Sequence, residues 1–181
     1  MILYIDVETN GIGTFRPPTQ RVMQISWIYD KEYNFFVNDV ECVSDKVPHS
    51  ITLEHCKKHG DSWDVIYNEL ERCMKTADTV VSHNADFDIS SIAYELKIRK
   101  SKSYKNYKKL VKRLLDTGSI ECTMQSSKDI CKIPLGNGYK YPKLEELYQH
   151  FFGGCPTGLH DSLEDCRVMK MCHQKIQQTC T

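Results

Sequence analysis

The sequence has no long apolar run, since none of its stretches approaches the roughly 20 residues that a helix needs to cross a bilayer. We also expect no signal peptide, because the stretch MILYIDVETNG carries no basic segment and reaches an acid at position 6. Its nine cysteines include no CxxC pair, the spacing typical of redox motifs and zinc ribbons. We therefore expect an intracellular protein that is not secreted, has no membrane partner and keeps its thiols reduced.

Paired zinc ligands are also missing. The candidate groups, Cys56 with His59 and Cys166 with Cys172 and His173, lack the two-sided spacing of a zinc finger. Core and surface thiols are the interpretation that we favour for these cysteines.

The chain has no P-loop and no nucleophile elbow, which argues against the common nucleotide hydrolases and against covalent ester hydrolysis. Repeats, low-complexity tracts and long linkers are absent as well. With 181 residues, 40% of them hydrophobic, the sequence has the size and core-forming content of one domain. We expect a single domain over residues 1–181.

The net charge is zero, but the charges are distributed unevenly. Residues 97–113 (KIRKSKSYKNYKKLVKR) carry nine of the 24 Lys and Arg residues and no acid. Such a run indicates either a cationic surface for a polyanion or an ordinary solvated helix face. Tyr104 and Tyr107 either stack on bases or form the apolar seam of that helix. The candidate backbone-binding residues are Lys105, Lys108, Lys109 and Lys112.

Hydrophobic patterning predicts an α/β or α+β domain with a mixed sheet. Strands are expected over Ile2–Glu8, over residues 21–30 and 34–40 as a hairpin, and over residues 78–84. Helices are expected after Ser62, from about Phe87, over residues 144–154 and from Ser162 to Gln178. Residues 100–143 give the weakest pattern.

The first group of acids is Asp6 and Glu8, at the end of the opening strand. Alternate residues of a strand project to the same side about 7 Å apart. Two ionised carboxylates there repel each other and lose solvation, unless a cation lies between them. The alternative is that the strand ends at Ile5 and both acids are surface residues.

The second group is HNADFD, residues 83–88, between a strand and the following helix, where α/β folds place ligand-binding groups. Asp86 and Asp88 compete for the role. Asp88 is expected in the first helical turn, pointing back towards the sheet, whereas helix capping is the alternative for either acid.

The third group is GLHDSLEDC, residues 158–166, with His160 on a loop and Asp165 inside the last helix. Acids at a helix start are commonly explained by capping and by the helix dipole. Four carboxylates and a histidine, however, also match a two-metal phosphodiesterase. Mg²⁺ and Mn²⁺ prefer oxygen ligands, and two such ions activate water and stabilise the leaving oxygen. An imidazole can accept the proton of that water.

The order DVETNG, HNADFD and HDSLED resembles the three motifs of the DnaQ-like 3′–5′ exonucleases, in their histidine-bearing (DEDDh) branch. The resemblance implies a ribonuclease H-like fold, α/β with a central mixed sheet flanked by helices. It implies two Mg²⁺ or Mn²⁺ ions held by Asp6, Glu8, Asp88 and Asp165, with His160 as general base. Asp88 takes precedence over Asp86 because the ligand is the last residue of the second motif. The tyrosine-bearing branch is excluded because its tyrosine position is occupied by Asp161.

The same resemblance implies substrate contacts from the loop Thr9–Gly13, with Thr9, Asn10 and Gly11 near the terminal nucleotide, and from His83 and Asn84. The expected activity is release of nucleoside monophosphates from single-stranded or frayed 3′ ends, with DNA favoured over RNA as the partner. The alternatives are an exoribonuclease or oligoribonuclease, and a silent binding or polymerase-accessory module. Because the sequence encodes no polymerase domain, a polymerase or repair complex would be a separate chain.

Overall fold

The computed structural model describes residues 1–11 and 20–179. The strands of this part of the chain are β1 (Ile2–Thr9), β2 (Val22–Ile28), β3 (Glu32–Phe36), β4 (Thr79–Ser82), β5 (Ile120–Cys122), β6 (Pro134–Leu135) and β7 (Gly138–Tyr139). Its helices are α1 (Leu53–His59), α2 (Trp63–Thr76), α3 (Ala85–Ile98), α4 (Tyr104–Asp116), α5 (Thr123–Ser126), α6 (Lys128–Cys131), α7 (Leu144–Phe152) and α8 (Ser162–Thr179).

Five strands form one mixed sheet in the order β3-β2-β1-β4-β5. The pairs β1–β2 and β2–β3 are antiparallel, whereas β1–β4 and β4–β5 are parallel. Strands β6 and β7 form a separate two-stranded hairpin. The expected α/β architecture, a central mixed sheet flanked by helices, is confirmed.

The two faces of β1 meet different helices. Leu3, Ile5 and Val7 belong to the main core with apolar side chains of α2, α3 and α4. Tyr4 belongs to a second cluster with Cys166 and Met169 of α8. Because side chains alternate along a strand, Asp6 and Glu8 share the face of Tyr4 and project to the side covered by α8.

Several boundaries differ from the predicted ones. The hairpin turn lies at residues 29–31, because Tyr33 is buried and pairs with Trp27 inside the sheet. Helix α3 begins at Ala85 rather than near Phe87, and its N-cap is Asn84, so neither Asp86 nor Asp88 caps it. Residues 100–143, the weakest pattern, form α4, β5, two short helices and the β6–β7 hairpin. Alternation and periodicity are weak signals in elements of two to four residues.

The helix predicted after Ser62 is α2, and the one predicted over residues 144–154 is α7. Helix α7 ends at Phe152 and is capped by Gly153, whose positive φ of 74° is a conformation that glycine adopts without strain. In the described part of the chain, no helix combines the length and apolar character needed to span a bilayer.

A buried carboxylate connects α3 to the start of β2. Glu95 is fully buried, and its Oε1 accepts hydrogen bonds from Arg21 Nε and Val22 N, both at 2.8 Å. Its Oε2 accepts from Arg99 Nε at 2.8 Å. The two arginines neutralise the acid in a place where an unpaired charge is costly.

We expect Glu95→Ala to lower the free energy of unfolding by about 3 kcal/mol, because Arg21 and Arg99 then keep only Asp39 as an acidic partner among the described residues and the buried N–H of Val22 loses its acceptor. Urea denaturation measures the loss. The matched control is Glu69→Ala, since Glu69 forms an exposed ion pair with Arg72 at 3.5 Å. That variant is expected to lose about 1 kcal/mol or less. Equal losses in the two variants would contradict the stabilising role of Glu95.

Candidate functional site

The acids of β1 meet the start of α8 at the carboxyl end of β1. One oxygen of Glu8, one oxygen of Asp165 and a ring nitrogen of His160 lie within 4.8 Å of one another. Glu8 is more than 150 positions away from the other two residues in sequence. Two oxygen donors and an imidazole at this spacing are a set of ligand atoms that a divalent ion can use.

Asp165 provides the clearest indication that the acids could bind a cation. Its Oδ2 accepts a hydrogen bond from the backbone N–H of His160 at 3.3 Å. Its Oδ1 is buried and has no partner among the described residues. Buried carboxylate oxygens without a partner are costly, and coordination of a cation satisfies them. The residues therefore fit a divalent metal.

Helix capping, the alternative explanation for the acids of GLHDSLEDC, applies to Asp161 and not to Asp165. Asp161 Oδ1 accepts hydrogen bonds from the backbone N–H groups of Leu163 and Glu164, at 3.1 and 3.2 Å. Its Oδ2 accepts from Gln24 Nε2 at 2.8 Å. The first turn of α8 is thus capped by Asp161, and Asp165 is left free for another role.

Asp88 is held against the first strand. Because β4 pairs with β1 only as far as Tyr4, the N–H of Val7 has no strand partner on that side and donates to Asp88 Oδ1 at 3.1 Å. Ser82 Oγ donates to Asp88 Oδ2. Asp88 is 2% exposed, whereas Asp86 is exposed. Of the two acids of the second motif, Asp88 is the one that the structure places against β1, the strand that carries Asp6 and Glu8.

Burial, and then neighbouring negative charges, raise the pKa values of the four acids. Burial raises the pKa of Glu8 to about 8, and the charges of Asp165 and Asp88 add to the shift. Burial also raises the pKa of Asp88 and of Asp165 to about 7. For Asp6, burial and then the charges of Asp88, Asp165 and Glu8 raise the pKa well above its usual range. Four mutually repelling carboxylates form an anionic centre that a cation stabilises.

A row of polar residues inside the sheet lies beside these acids and was not predicted from the sequence. Gln24 and Ser26 lie opposite Glu8 and Asp6 on β2 and are fully buried. Both donate to Asn34 Oδ1, at 3.0 Å each. Gln24 Oε1 accepts from the backbone N–H of Ser162 at 3.2 Å. This row fixes the start of α8 over β1, and the signal for it was two polar residues alternating with apolar ones in a buried strand.

His160 lies in the loop before α8 with a φ of 69°. This left-handed conformation is strained for a residue with a side chain, and such strain clusters at functional sites. The side chain is exposed and adjoins Glu8 and Asp165. An imidazole in this position can receive a proton from a water held among the acids.

A pocket of about 240 Å³ adjoins Glu8. Among the predicted substrate-binding residues, Thr9, Gly11 and Asn84 line it. The segment 47–48, which was not singled out from the sequence, forms part of its wall. It is positioned by His49, whose Nε2 lies 2.8 Å from Thr9 O. Ile12 and Gly13 of the predicted loop lie outside the described residues.

Asn10 and His83 are engaged within the protein instead. Asn10 Nδ2 donates to Cys42 O at 3.0 Å, and its Oδ1 accepts from Arg21 N at 2.8 Å. His83 Nε2 donates to Pro142 O at 3.1 Å, and its Nδ1 lies 2.9 Å from Thr123 Oγ1. Burial lowers the pKa of His83 to about 4, which keeps its ring neutral. A substrate-binding role for these two residues stays a prediction.

The basic run spans the end of α3, a loop and most of α4. Lys105, Lys108, Lys109 and Lys112 are exposed on α4. Lys112 forms an ion pair with Asp116 at 2.7 Å. Tyr107 is 1% exposed, and its hydroxyl donates to Ile89 O at 2.8 Å. Of the two interpretations of Tyr107, the apolar seam is therefore correct and base stacking is wrong.

The cysteine and histidine groups occupy ordinary structural positions. Cys166 and Cys172 are buried in the packing of α8. His173 is buried between Tyr4 Oη, 3.1 Å from its Nδ1, and Glu121 Oε2, 2.9 Å from its Nε2. The only group of three possible ligands in the described ranges is Glu8, His160 and Asp165.

The raised pKa values make a prediction about the metal-free protein. Carboxylates of the unfolded chain titrate near pH 4, whereas those of Glu8, Asp88 and Asp165 in the folded chain titrate at about 7 to 8. The folded state therefore binds more protons between these values, and the site's contribution to the free energy of unfolding falls as pH rises from about 4 to about 8.

In EDTA, we expect Asp165→Asn to be more stable than the parent at pH 8 by about 1 kcal/mol or more, and close to it at pH 4.5. Urea denaturation across this range measures both curves. The difference between the two stability curves reports on the acids alone. His83, whose lowered pKa changes stability in the opposite direction, is present in both proteins and cancels. Parallel curves, or a parent that gains no stability from added Mg²⁺ at pH 8, would contradict the cation site.

Three solved structures share this fold. They are cell-death related nuclease 4 (TM-score 0.59, 14% identity), E. coli Exonuclease I in complex with a 5cy-dA13 oligonucleotide (TM-score 0.66, 14% identity) and the Saccharomyces cerevisiae Pan2 pseudoubiquitin hydrolase-RNA exonuclease module in complex with A7 RNA (TM-score 0.64, 17% identity). The matches cover 98%, 98% and 99% of this chain. The expected ribonuclease H-like fold, as found in exonucleases, is confirmed.

The chain spans 64%, 40% and 29% of the length of these three proteins, respectively. No family model matches the sequence, and no curated protein matches it either. The likeness lies in the fold, at identities of 14–17%.

Proposed function

We propose that this protein is a divalent-metal-dependent 3′–5′ exonuclease that releases nucleoside monophosphates from single-stranded or frayed 3′ ends. The observation that carries the proposal is the meeting of Glu8, His160 and Asp165 within 4.8 Å, with Asp165 Oδ1 buried and unpartnered. The exonuclease descriptions of two of the three structural neighbours support the same reaction class.

In this proposal, two Mg²⁺ or Mn²⁺ ions are held by Asp6, Glu8, Asp88 and Asp165. When bound, such ions supply the positive charge that activates a water and stabilises the leaving 3′ oxygen. Val7 N and Ser82 Oγ orient Asp88, and His160 N orients Asp165. The role of His160 is to take the proton from the attacking water as general base.

The pocket beside Glu8 is the proposed place of the terminal nucleotide. It is lined by the apolar residues Val7, Val47, Pro48 and Phe87 and by the polar residues Thr9 and Asn84. An apolar wall suits the face of a base, and the polar groups suit the edges of a sugar or base. The glycine at position 11 keeps that part of the wall free of a side chain.

Single-stranded DNA is the substrate that we favour, and RNA is the alternative. The neighbours were solved with a DNA oligonucleotide for Exonuclease I and with an RNA for the Pan2 module. A panel of 5′-labelled single-stranded DNA, single-stranded RNA and mismatched duplex, incubated with Mg²⁺, Mn²⁺ or EDTA, distinguishes the two. A ladder that shortens from the 3′ end on DNA, and disappears in EDTA, is the expected result. Intact substrates under every condition would instead indicate a silent nucleic-acid-binding or polymerase-accessory module.

We expect Asp88→Asn to abolish Mg²⁺-dependent cleavage and Asp86→Asn to retain it. The reason is that Asp88 faces the other acids, whereas its neighbour Asp86 is exposed. Initial rates on a 5′-labelled oligonucleotide measure the difference, and thermal denaturation confirms that both variants fold. Loss of activity in Asp86→Asn alone would reverse the assignment.

His160→Ala is expected to lower the rate by the roughly 10²–10⁴ typical of general base catalysis. Mg²⁺-induced thermal stabilisation should persist in this variant, because the four carboxylates remain. A parent-like rate would remove His160 from the reaction, and loss of the Mg²⁺ effect would make it a ligand rather than a base.

The lysines on α4 are proposed to hold the phosphate backbone. Replacing Lys105, Lys108, Lys109 and Lys112 by Gln should weaken binding and flatten its salt dependence by roughly 0.7 in log–log slope for each phosphate that is no longer neutralised. The control carries Gln at four exposed lysines elsewhere, namely Lys31, Lys57, Lys58 and Lys175. Identical slopes in the two variants would assign the α4 lysines to solvation.

A further inference from the structure

The hairpin of β6 and β7 presents aromatic rings to solvent. Tyr139 is 42% exposed, Tyr141 51% and Leu135 64%. Among the Phe, Trp and Tyr residues that the structure describes, only Tyr139 and Tyr141 are exposed rather than buried or half-buried. Most of the large apolar side chains lie in the core. Two exposed tyrosines on one hairpin therefore indicate a surface that binds another molecule.

The backbone pairing indicates why these rings face outward. Lys140 N donates to Ile133 O at 3.0 Å, which continues the hairpin beyond β7. Lys140 Nζ contacts Glu146 Oε1 of α7 at 2.5 Å. In extended chain, the neighbours of a residue project to the opposite side. Tyr139 and Tyr141 therefore point away from α7, on one face of the hairpin.

The surroundings of the tyrosines are basic. Residues 128–143 contain four lysines and one aspartate. Lys128 Nζ lies 5.2 Å from the centre of the Tyr141 ring, and Lys132 is exposed at the end of α6. Aromatic rings among lysines are the combination that binds single-stranded nucleic acid, because bases stack on the rings and phosphates pair with the ammonium groups.

The hairpin is anchored next to the acidic site. Pro142, the residue after Tyr141, accepts a hydrogen bond through its carbonyl from His83 Nε2 at 3.1 Å. His83 directly follows β4, and the chain continues through Asn84, which lines the pocket beside Glu8, into the first turn of α3 with Asp88. The tyrosines therefore lie near the end of the sheet at which the acids are found. Glu8, on β1, lies on the other side of β4.

We infer that the β6–β7 hairpin is a stacking platform for the single strand upstream of the 3′ end, with Tyr139 and Tyr141 contacting its bases. This inference rests on the proposed exonuclease function and extends it, because it assigns strand binding to residues outside the acidic site and outside α4. The substrate class that it implies is a single strand several nucleotides long, which would contact the pocket beside Glu8 and the hairpin together.

Equilibrium binding tests the platform separately from catalysis. Fluorescence anisotropy in EDTA gives the Kd of fluorescein-labelled oligothymidylate and oligouridylate, each as a 12-mer and a 3-mer. Tyr139→Ala/Tyr141→Ala is expected to weaken 12-mer binding by roughly tenfold or more, following the contribution of base–aromatic stacking. The parent should favour the 12-mer over the 3-mer, and this preference should largely disappear in the variant.

Two control variants separate stacking from other effects. Tyr139→Phe/Tyr141→Phe keeps the rings and should bind like the parent. Tyr29→Ala removes a half-buried tyrosine after β2, at the opposite end of β1 from the acids, and should also bind like the parent. Thermal denaturation of all variants confirms that they fold, which is expected because Tyr139 and Tyr141 are exposed.

An unchanged 12-mer Kd in the double alanine variant would overturn the inference, as would a phenylalanine variant that binds as poorly as the alanine variant. Parent self-association that disappears in the alanine variant without a change in Kd would assign the hairpin to a protein contact, and would overturn it too. Mg²⁺-dependent cleavage by the parent is measured separately. Tyrosine-dependent binding without any cleavage would leave the platform standing and overturn the proposed exonuclease function.

Discussion

Repulsion among four carboxylates is the constraint on which the arrangement of the site depends. Asp6 and Glu8 share the face of β1 that α8 covers, Asp165 comes from α8 itself, and Asp88 reaches in from the start of α3. Burial raises the pKa of each of these acids, and repulsion by neighbouring carboxylates adds to the shift. Apolar packing alone gives no reason to assemble such a group, because the same positions filled by apolar residues would be more stable. A cation bound among the acids, as in the proposed function, would remove this repulsion.

The surrounding structure holds the acids in place through neutral hydrogen bonds. The N–H of Val7 and the hydroxyl of Ser82 orient Asp88, and the row of Gln24, Ser26 and Asn34 connects β2 and β3 to the start of α8. Asp161 caps that helix and also accepts from Gln24. None of these partners adds positive charge. The acids are thereby fixed in position but left uncompensated, which keeps their charge available for a metal ion.

Three further features of the surface relate to the end of the sheet at which the acids lie. The pocket lies beside Glu8, and the β6–β7 hairpin is attached to the residue that follows β4 by the hydrogen bond from His83 to Pro142. The lysines of α4 add positive charge at a third position. In the proposed function, these features would receive a terminal nucleotide beside the acids and a strand that continues over basic and aromatic surface.

The acid pairs, their order and the fold class were readable from the sequence, because strand alternation and helix periodicity are local properties of the chain. Alternation alone placed Asp6 and Glu8 on one side of β1, and apolar runs alone predicted the mixed sheet. The weak pattern of residues 100–143 left the hairpin unpredicted, since strands of two residues carry almost no periodic signal.

Only the tertiary structure showed which of several chemically similar side chains meet and which are engaged elsewhere. It gave the capping of α8 to Asp161 and left Asp165 Oδ1 without a partner, and it placed Asp88, which the motif order had already favoured over Asp86, against β1. It also buried Tyr107 while exposing Tyr139 and Tyr141, and turned His83 towards Pro142. The physical reason is that hydrogen-bond partners, burial and electric fields arise between segments distant along the chain, whereas the sequence records directly only what lies nearby along it.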